Sequence, residues 1–164
     1  MAKKIKFAVI GSPISHSRSP EIHLEFATQA SLDIEFNKVE LNKSNLDDWV
    51  HSFFLEGGKG LSVTLPFKED CFSLADKVSL RANKTKAINV LYNKKGKILA
   101  DCTDGLGLVK DLVENKNQKI KDKSILLIGA GGAARGVLPS ILEEAPKSIV
   151  VANRTIEKAK KIVE

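Results

Sequence analysis

Residues 124–155 read "SILLIGAGGAARGVLPSILEEAPKSIVVANRT", and this stretch decides the fold. Two apolar runs of strand length, "SILLI" and "SIVVA", flank a glycine-rich turn and an amphipathic segment. Strands that are apolar on both faces belong to parallel sheets covered by helices, so the stretch predicts one βαβ unit with buried strands. Gly129, Gly131 and Ala134 fit the spacing G-x-G-x-x-[G/A], after a strand and at a helix start. Glycine there lets the backbone turn tightly and approach a pyrophosphate, whose charge meets the helix N-terminus. Gly129, Ala130, Gly131, Gly132, Ala133 and Ala134 are therefore the candidate phosphate loop of a Rossmann dinucleotide domain. At the end of the second strand an acid would accept the ribose hydroxyls of NAD. The chain has Asn153, Arg154 and Thr155 instead. A guanidinium and a hydroxyl suit a 2′-phosphate, which favours NADP. The plainer reading is a Thr155 helix cap beside a solvated Arg154.

Upstream of this unit, short β-rich runs alternate with amphipathic ones, which predicts an α/β protein of two lobes. "IKFAVI" (5–10) reads as a strand, and a helix follows with Ser19 as N-cap and Pro20 at its first position. "DIEFNKVEL" alternates as a strand does. "SNLDDWVHSFF" reads as a helix with a Ser44/Asp47 capping box, ended by Gly57 and Gly58. "KGLSVTL" is a third strand, halted by Pro66, and "AINVLYN" with "KILADC" forms a hairpin about "KKG". "DGLGLVKDLVEN" is a helix, and the polar residues 115–124 read as a linker. The expected organisation is an N-terminal α/β domain with a mostly parallel sheet over 1–114, then the beginning of a Rossmann domain over 115–164.

The composition narrows the class. The 164 residues are 43% hydrophobic and 28% charged, which suits a globular protein with a real core. No apolar stretch has the length of a membrane span, and the start "MAKKIKFAVIG" lacks the form of a signal peptide. Cys71 and Cys102 are too few for a disulfide framework and lack metal-ligand spacing, which points to the cytoplasm and to no metal. The formal charge of +6 reads mainly as lysine on solvated faces, and with 5% aromatics a nucleic-acid surface is not expected.

The first lobe holds a second set of candidates. "GSPISHSRSP" (11–20) is a strand-to-helix loop with a single glycine and four hydroxyls, Ser12, Ser15, Ser17 and Ser19. His16 reads as loop support, and Arg18, although the loop's obvious anion binder, is not read as the ligand. "LSVTLPFKED" places Thr64 and Lys68 at a strand end, where ligands sit in α/β folds. Asp104 opens a helix, and Asn89 stands at a strand start. Taken singly, these are a surface lysine, a first-turn acid and a turn amide.

Taken together, the motifs resemble the shikimate dehydrogenases. "VIGSPISHSRSPEIH" is similar to that family's G-x-P-[IV]-x-H-S-x-S-P, "SVTLPFK" to N-V-T-x-P-x-K, "AINVL" to A-V-N-T-L and "CTDGLG" to N-T-D-G-x-G. "GAGGAARG" and "NRT" resemble its NADP loop and 2′-phosphate motif. The resemblance implies that Ser17 and Ser19 hold the substrate carboxylate. It implies that Thr64, Lys68, Asn89 and Asp104 surround the ring hydroxyls and reacting carbonyl, with NADP on 129–134 and 153–155. The implied reaction is reversible reduction of 3-dehydroshikimate to shikimate by NADPH, in aromatic amino-acid (chorismate) biosynthesis. Such a ketone reduction needs a hydride from the cofactor and a proton donor for the developing alkoxide, which an ammonium oriented by a carboxylate supplies, so Lys68 is the candidate general acid/base and Asp104 its partner. A homodimer is left open. A quinate/shikimate dehydrogenase and a non-catalytic shikimate- or NADP-binding fragment are the alternatives. Ser62, Val90 and Cys102 depart from the motifs at positions expected to flank the contact residues. The family's chains continue well beyond a position equivalent to Glu164, so the chain reads as C-terminally truncated.

Overall fold

The first strand, β1 (Ile5–Gly11), becomes buried from Ala8 onward, with Ala8 and Ile10 in one core cluster of the first lobe and Val9 in another. The computed structural model describes residues 4–163. β1 is followed by α1 (Ser19–Gln29), β2 (Ile34–Glu40), α2 (Leu46–Leu55) and β3 (Gly60–Val63). The chain continues through β4 (Lys77–Val78), α3 (Leu80–Thr85), β5 (Val90–Lys94), β6 (Lys97–Asp101) and α4 (Asp104–Lys110). A six-stranded sheet runs in the order β2-β1-β3-β5-β6-β4. Its β2-β1-β3 half and the β6-β4 pair are parallel, while β3-β5 and β5-β6 are antiparallel. The second lobe contains β7 (Ser124–Ile128), α5 (Gly132–Glu143), β8 (Ser148–Ala152) and α6 (Ile156–Val163). β7 and β8 pair in parallel, which makes the expected βαβ unit.

Local chemistry explains most elements. On α2, Leu46, Val50 and Phe54 recur at helical spacing and are buried in the core between helix and sheet. Gly57, at φ +93°, and Gly58 end this helix, and the Gly58 amide bonds back to the Phe53 carbonyl at 2.9 Å. The β5–β6 hairpin turns through Lys95 and Gly96, at φ +54° and +79°, the primed geometry that matches strand twist.

Some expectations are corrected. Ser19 is the first residue of α1 rather than its cap; Arg18 precedes the helix, and Pro20 sits one position further in. A short 3₁₀ turn over Lys43–Asn45 replaces the Ser44/Asp47 capping box, with the Asn42 amide bonded to the Asn45 side chain at 2.8 Å. The helix from Asp104 is α-helical only to Lys110 and widens into a π-helical turn over Asp111–Asn115. In the linker stretch, Ile120 is buried, so the segment is anchored to the body. The strands of the second lobe are half exposed: α5 covers one face, whereas Leu126, Ile128 and Val150 stand exposed. No helix among the described residues is long and apolar enough to cross a membrane.

Candidate active site

The C-terminal ends of β1 and β3 meet at a point where only glycine fits. A Cβ on Gly11 would lie 2.6 Å from Thr64 Cγ2 and 3.0 Å from the Leu65 carbonyl. This close approach lets the Ser12 amide bond the Leu65 carbonyl at 3.1 Å, which joins the hydroxyl-rich loop to the chain that leads to Lys68. Buried Phe67 anchors that chain, and the Lys68 carbonyl accepts the Ile88 amide at 2.8 Å, one residue before Asn89.

Lys68 Nζ donates to Asp104 Oδ2, and both side chains are mostly buried, 14% and 22% exposed. Asn89 Nδ2 donates to Asp104 Oδ1 at 2.8 Å, so each carboxylate oxygen has its own donor. Asn89 also donates to Thr103 Oγ1 at 2.9 Å and accepts the Thr103 amide at 2.9 Å. Its amide is thereby committed to the protein on both sides. Ser17 Oγ donates to Ser19 Oγ at 3.2 Å and accepts the Ser19 amide at 3.3 Å, which leaves the Ser19 hydroxyl proton free for a ligand.

These groups face one cavity of about 320 Å³, whose wall includes Ser19, Thr64, Lys68, Asn89 and Asp104. Ser17 stands behind this wall and acts on it through Ser19. The sequence reading missed His23, Thr103, Ser62 and Val90 in the same wall. Ser62 and Val90 are direct partners across β3 and β5, so they form part of the cavity instead of flanking it. Period-2 alternation was the available signal for that shared face. The His23 ring bonds the Ser19 carbonyl through Nδ1 at 2.8 Å and lies 4.5 Å from the Phe36 ring. The support expected of His16 comes from Lys38, whose Nζ donates to the Ser15 carbonyl at 2.8 Å, while His16 and Arg18 are exposed.

A second cavity of about 450 Å³ lies between the lobes, bounded by Thr64, Lys68 and Glu69 on one side and Gly131, Gly132, Ala133 and Lys158 on the other. Thr64 and Lys68 border both cavities. Gly129, at φ +111°, turns the chain into α5, and a Cβ on Gly131 would meet nothing within 4 Å. The open backbone at the α5 N-terminus can therefore face an anion, and the lining fits a dinucleotide pyrophosphate. Ala130 and Ala134 are buried beneath it. Farther out, Asn153 Nδ2 bonds the Thr155 carbonyl at 2.8 Å, which shapes the entry to α6, and Arg154 and Thr155 are exposed. Lys158 is a cation that the glycine motif alone did not reveal.

Two thiols lie nearby. Burial pushes the Cys71 thiol up to about 12, and burial likewise raises Cys102, whose Sγ lies 3.8 Å from the Gly136 carbonyl. Both are packing groups rather than nucleophiles at neutral pH.

Comparison with known proteins gives the same assignment across both lobes. Residues 9–91, half of the chain, match the shikimate dehydrogenase substrate binding domain, and residues 111–164 match shikimate / quinate 5-dehydrogenase. The chain is 45% identical over 159 residues to the shikimate dehydrogenase (NADP(+)) of Alkalilimnicola ehrlichii, covering 97% of this chain and 59% of that protein. It is 48% identical over 154 residues to that of Chromobacterium violaceum, covering 94% of this chain and 56% of the relative. The crystal structure of shikimate dehydrogenase from Aquifex aeolicus superposes with a TM-score of 0.93 at 34% identity, over 99% of this chain and 60% of that one. The chain thus spans between half and two thirds of the length of these relatives. With motifs, fold and both cavities in agreement, the chain belongs to the shikimate dehydrogenase family.

Proposed function

We propose that the chain carries the substrate lobe and the dinucleotide loop of an NADP-dependent shikimate dehydrogenase, which reversibly reduces 3-dehydroshikimate to shikimate. One observation carries this reading: Lys68, paired with Asp104, borders both cavities. A ligand ring in the first cavity and a nicotinamide in the second would meet beside its ammonium. NADPH, when bound, supplies the hydride. Lys68 then gives a proton to the oxygen that becomes the alkoxide, and in the reverse direction its neutral amine accepts the hydroxyl proton. Asp104 orients the Nζ, and Asn89 keeps Asp104 fixed from its other oxygen. Ser19, with Ser17 behind it, binds the substrate carboxylate, and Thr64 binds a ring hydroxyl. Residues 129–134 hold the pyrophosphate, while Asn153, Arg154 and Thr155 hold the adenosine end and its 2′-phosphate.

The same reading places the lobe boundary near residue 114 and the protein in the cytoplasm, in keeping with two unpaired cysteines. The free hydroxyl of Ser19 and the exposed Arg154 support shikimate over quinate and NADP over NAD. The test is shikimate-dependent NADP reduction, followed by absorbance, on this chain and on a form extended to the length of its relatives. Reduction by the extended form supports the proposal, and no reduction by either form contradicts it. Light scattering of the extended form measures whether it is a homodimer.

A further inference from the structure

One face of α5 supplies the contact between the lobes. Gly132, Arg135, Gly136, Ser140 and Glu143 recur at helical spacing along it. A Cβ on Gly132 would lie 3.1 Å from Lys68 Cβ, and one on Gly136 would lie 3.0 Å from Asp104 Oδ2. The helix is therefore the surface against which both members of the Lys68–Asp104 pair are set. Two ion pairs accompany these contacts. Lys84–Glu143 is open to solvent at 62% and 60% exposure, where such pairs contribute little. Arg135 differs, with a side chain only 23% exposed and Nε 3.7 Å from Glu69 Oε1, in the residue after Lys68. Among the described residues, Arg135 Nε is also the one buried side-chain nitrogen or oxygen without a hydrogen-bond partner. A guanidinium nitrogen withdrawn from water with only a loose counter-charge does not serve stability. Helical side chains lean towards the N-terminus, which brings Arg135 back over the turn where Gly132 meets Lys68.

We propose that Arg135 is a positioning residue: through Glu69 it holds the loop that carries Lys68 against the glycine-loop helix. It thereby sets where Lys68 stands between the two cavities. The geometry belongs to the chain itself, and only its consequence for turnover rests on the proposed function.

The test compares wild type with Arg135→Gln, Arg135→Lys, Glu69→Gln and the Arg135→Gln/Glu69→Gln double variant. The readout is the rate at which an amine-reactive ester labels Lys68, measured by mass spectrometry, with Lys4, 60% exposed, as internal control. Local opening of the loop raises Lys68 labelling about fivefold or more in each Gln variant and leaves Lys4 unchanged. The double variant goes no further than either single one, because both remove the same link. Arg135→Lys restores most of the protection. Glu69 is 55% exposed, so Glu69→Gln keeps the test available if an Arg135 variant fails to fold. Unchanged Lys68 labelling, or a uniform rise across all lysines, overturns the proposal. In the extended form, the expected loss is in kcat rather than in the KM for shikimate. An extended wild type that is inactive counts against the proposed function and leaves the labelling result standing.

Discussion

Asp104 is held from two sides, by the Lys68 ammonium on one oxygen and the Asn89 amide on the other. Asn89 is in turn saturated by Thr103, so the amide is the keystone of the cluster. Replacing Asn89 with Ala leaves the Thr103 amide and an Asp104 oxygen without partners. The expected loss is about 1–3 kcal/mol of stability, read from urea unfolding, together with a fall in turnover. Three residues before Asp104, Asp101 shows the opposite electrostatic outcome from the buried thiols. Burial pushes its carboxyl up, but bonds from Arg81, Ser79 and the Cys102 amide outweigh burial and hold it below the ordinary carboxylate range. A lowered folded value means that the unfolded chain takes up protons first as the pH falls. The stabilisation is therefore complete above the unfolded value of about 4 and is lost as the pH drops through the folded one. Urea midpoints measured from about pH 5 to pH 2 should fall less steeply for Asp101→Asn than for wild type.

At the scale of elements, the contact between α4 and α5 depends on small residues. A Cβ on Gly105 would lie 2.8 Å from Ser140 Cβ and 2.9 Å from the Gly136 carbonyl, one residue after Asp104. Gly105→Ala forces the two helices apart and is expected to destabilise by about 1–3 kcal/mol in denaturant unfolding, with turnover falling as Asp104 shifts. None of this contact could be read from the sequence, because it joins residues far apart along the chain. The local elements were legible where periodicity or turn chemistry is strong. The alternation of "DIEFNKVEL" gave β2, the two glycines after Leu55 gave the end of α2, and "KKG" gave the hairpin turn. The start of α1 was misread because Ser17, not Ser19, makes the local side-chain bond to the backbone. The short β4 was missed, since two residues carry no periodic signal, and so was α3, capped by the Ser79 hydroxyl on the Ala82 amide.

At the scale of the molecule, most motif residues of the first lobe line one cavity, the glycine loop lines a second, and Thr64 and Lys68 border both. The sequence named the motif residues, while the cavity wall of His23, Ser62, Val90 and Thr103 required the packing of β3, β5, α1 and the start of α4. Arg154, exposed just after β8, is expected to set cofactor choice. Arg154→Ala should weaken NADP binding about tenfold or more and NAD binding little, as titration calorimetry can measure; equal weakening contradicts the assignment. Lys68 is proposed to transfer the proton where the two cavities meet. Single-turnover reduction of NADP by shikimate, comparing the extended wild type with Lys68→Ala, tests it most directly. The expected rate for Lys68→Ala is about 10²- to 10⁴-fold lower, with shikimate affinity little changed. A near-normal rate in Lys68→Ala would contradict it.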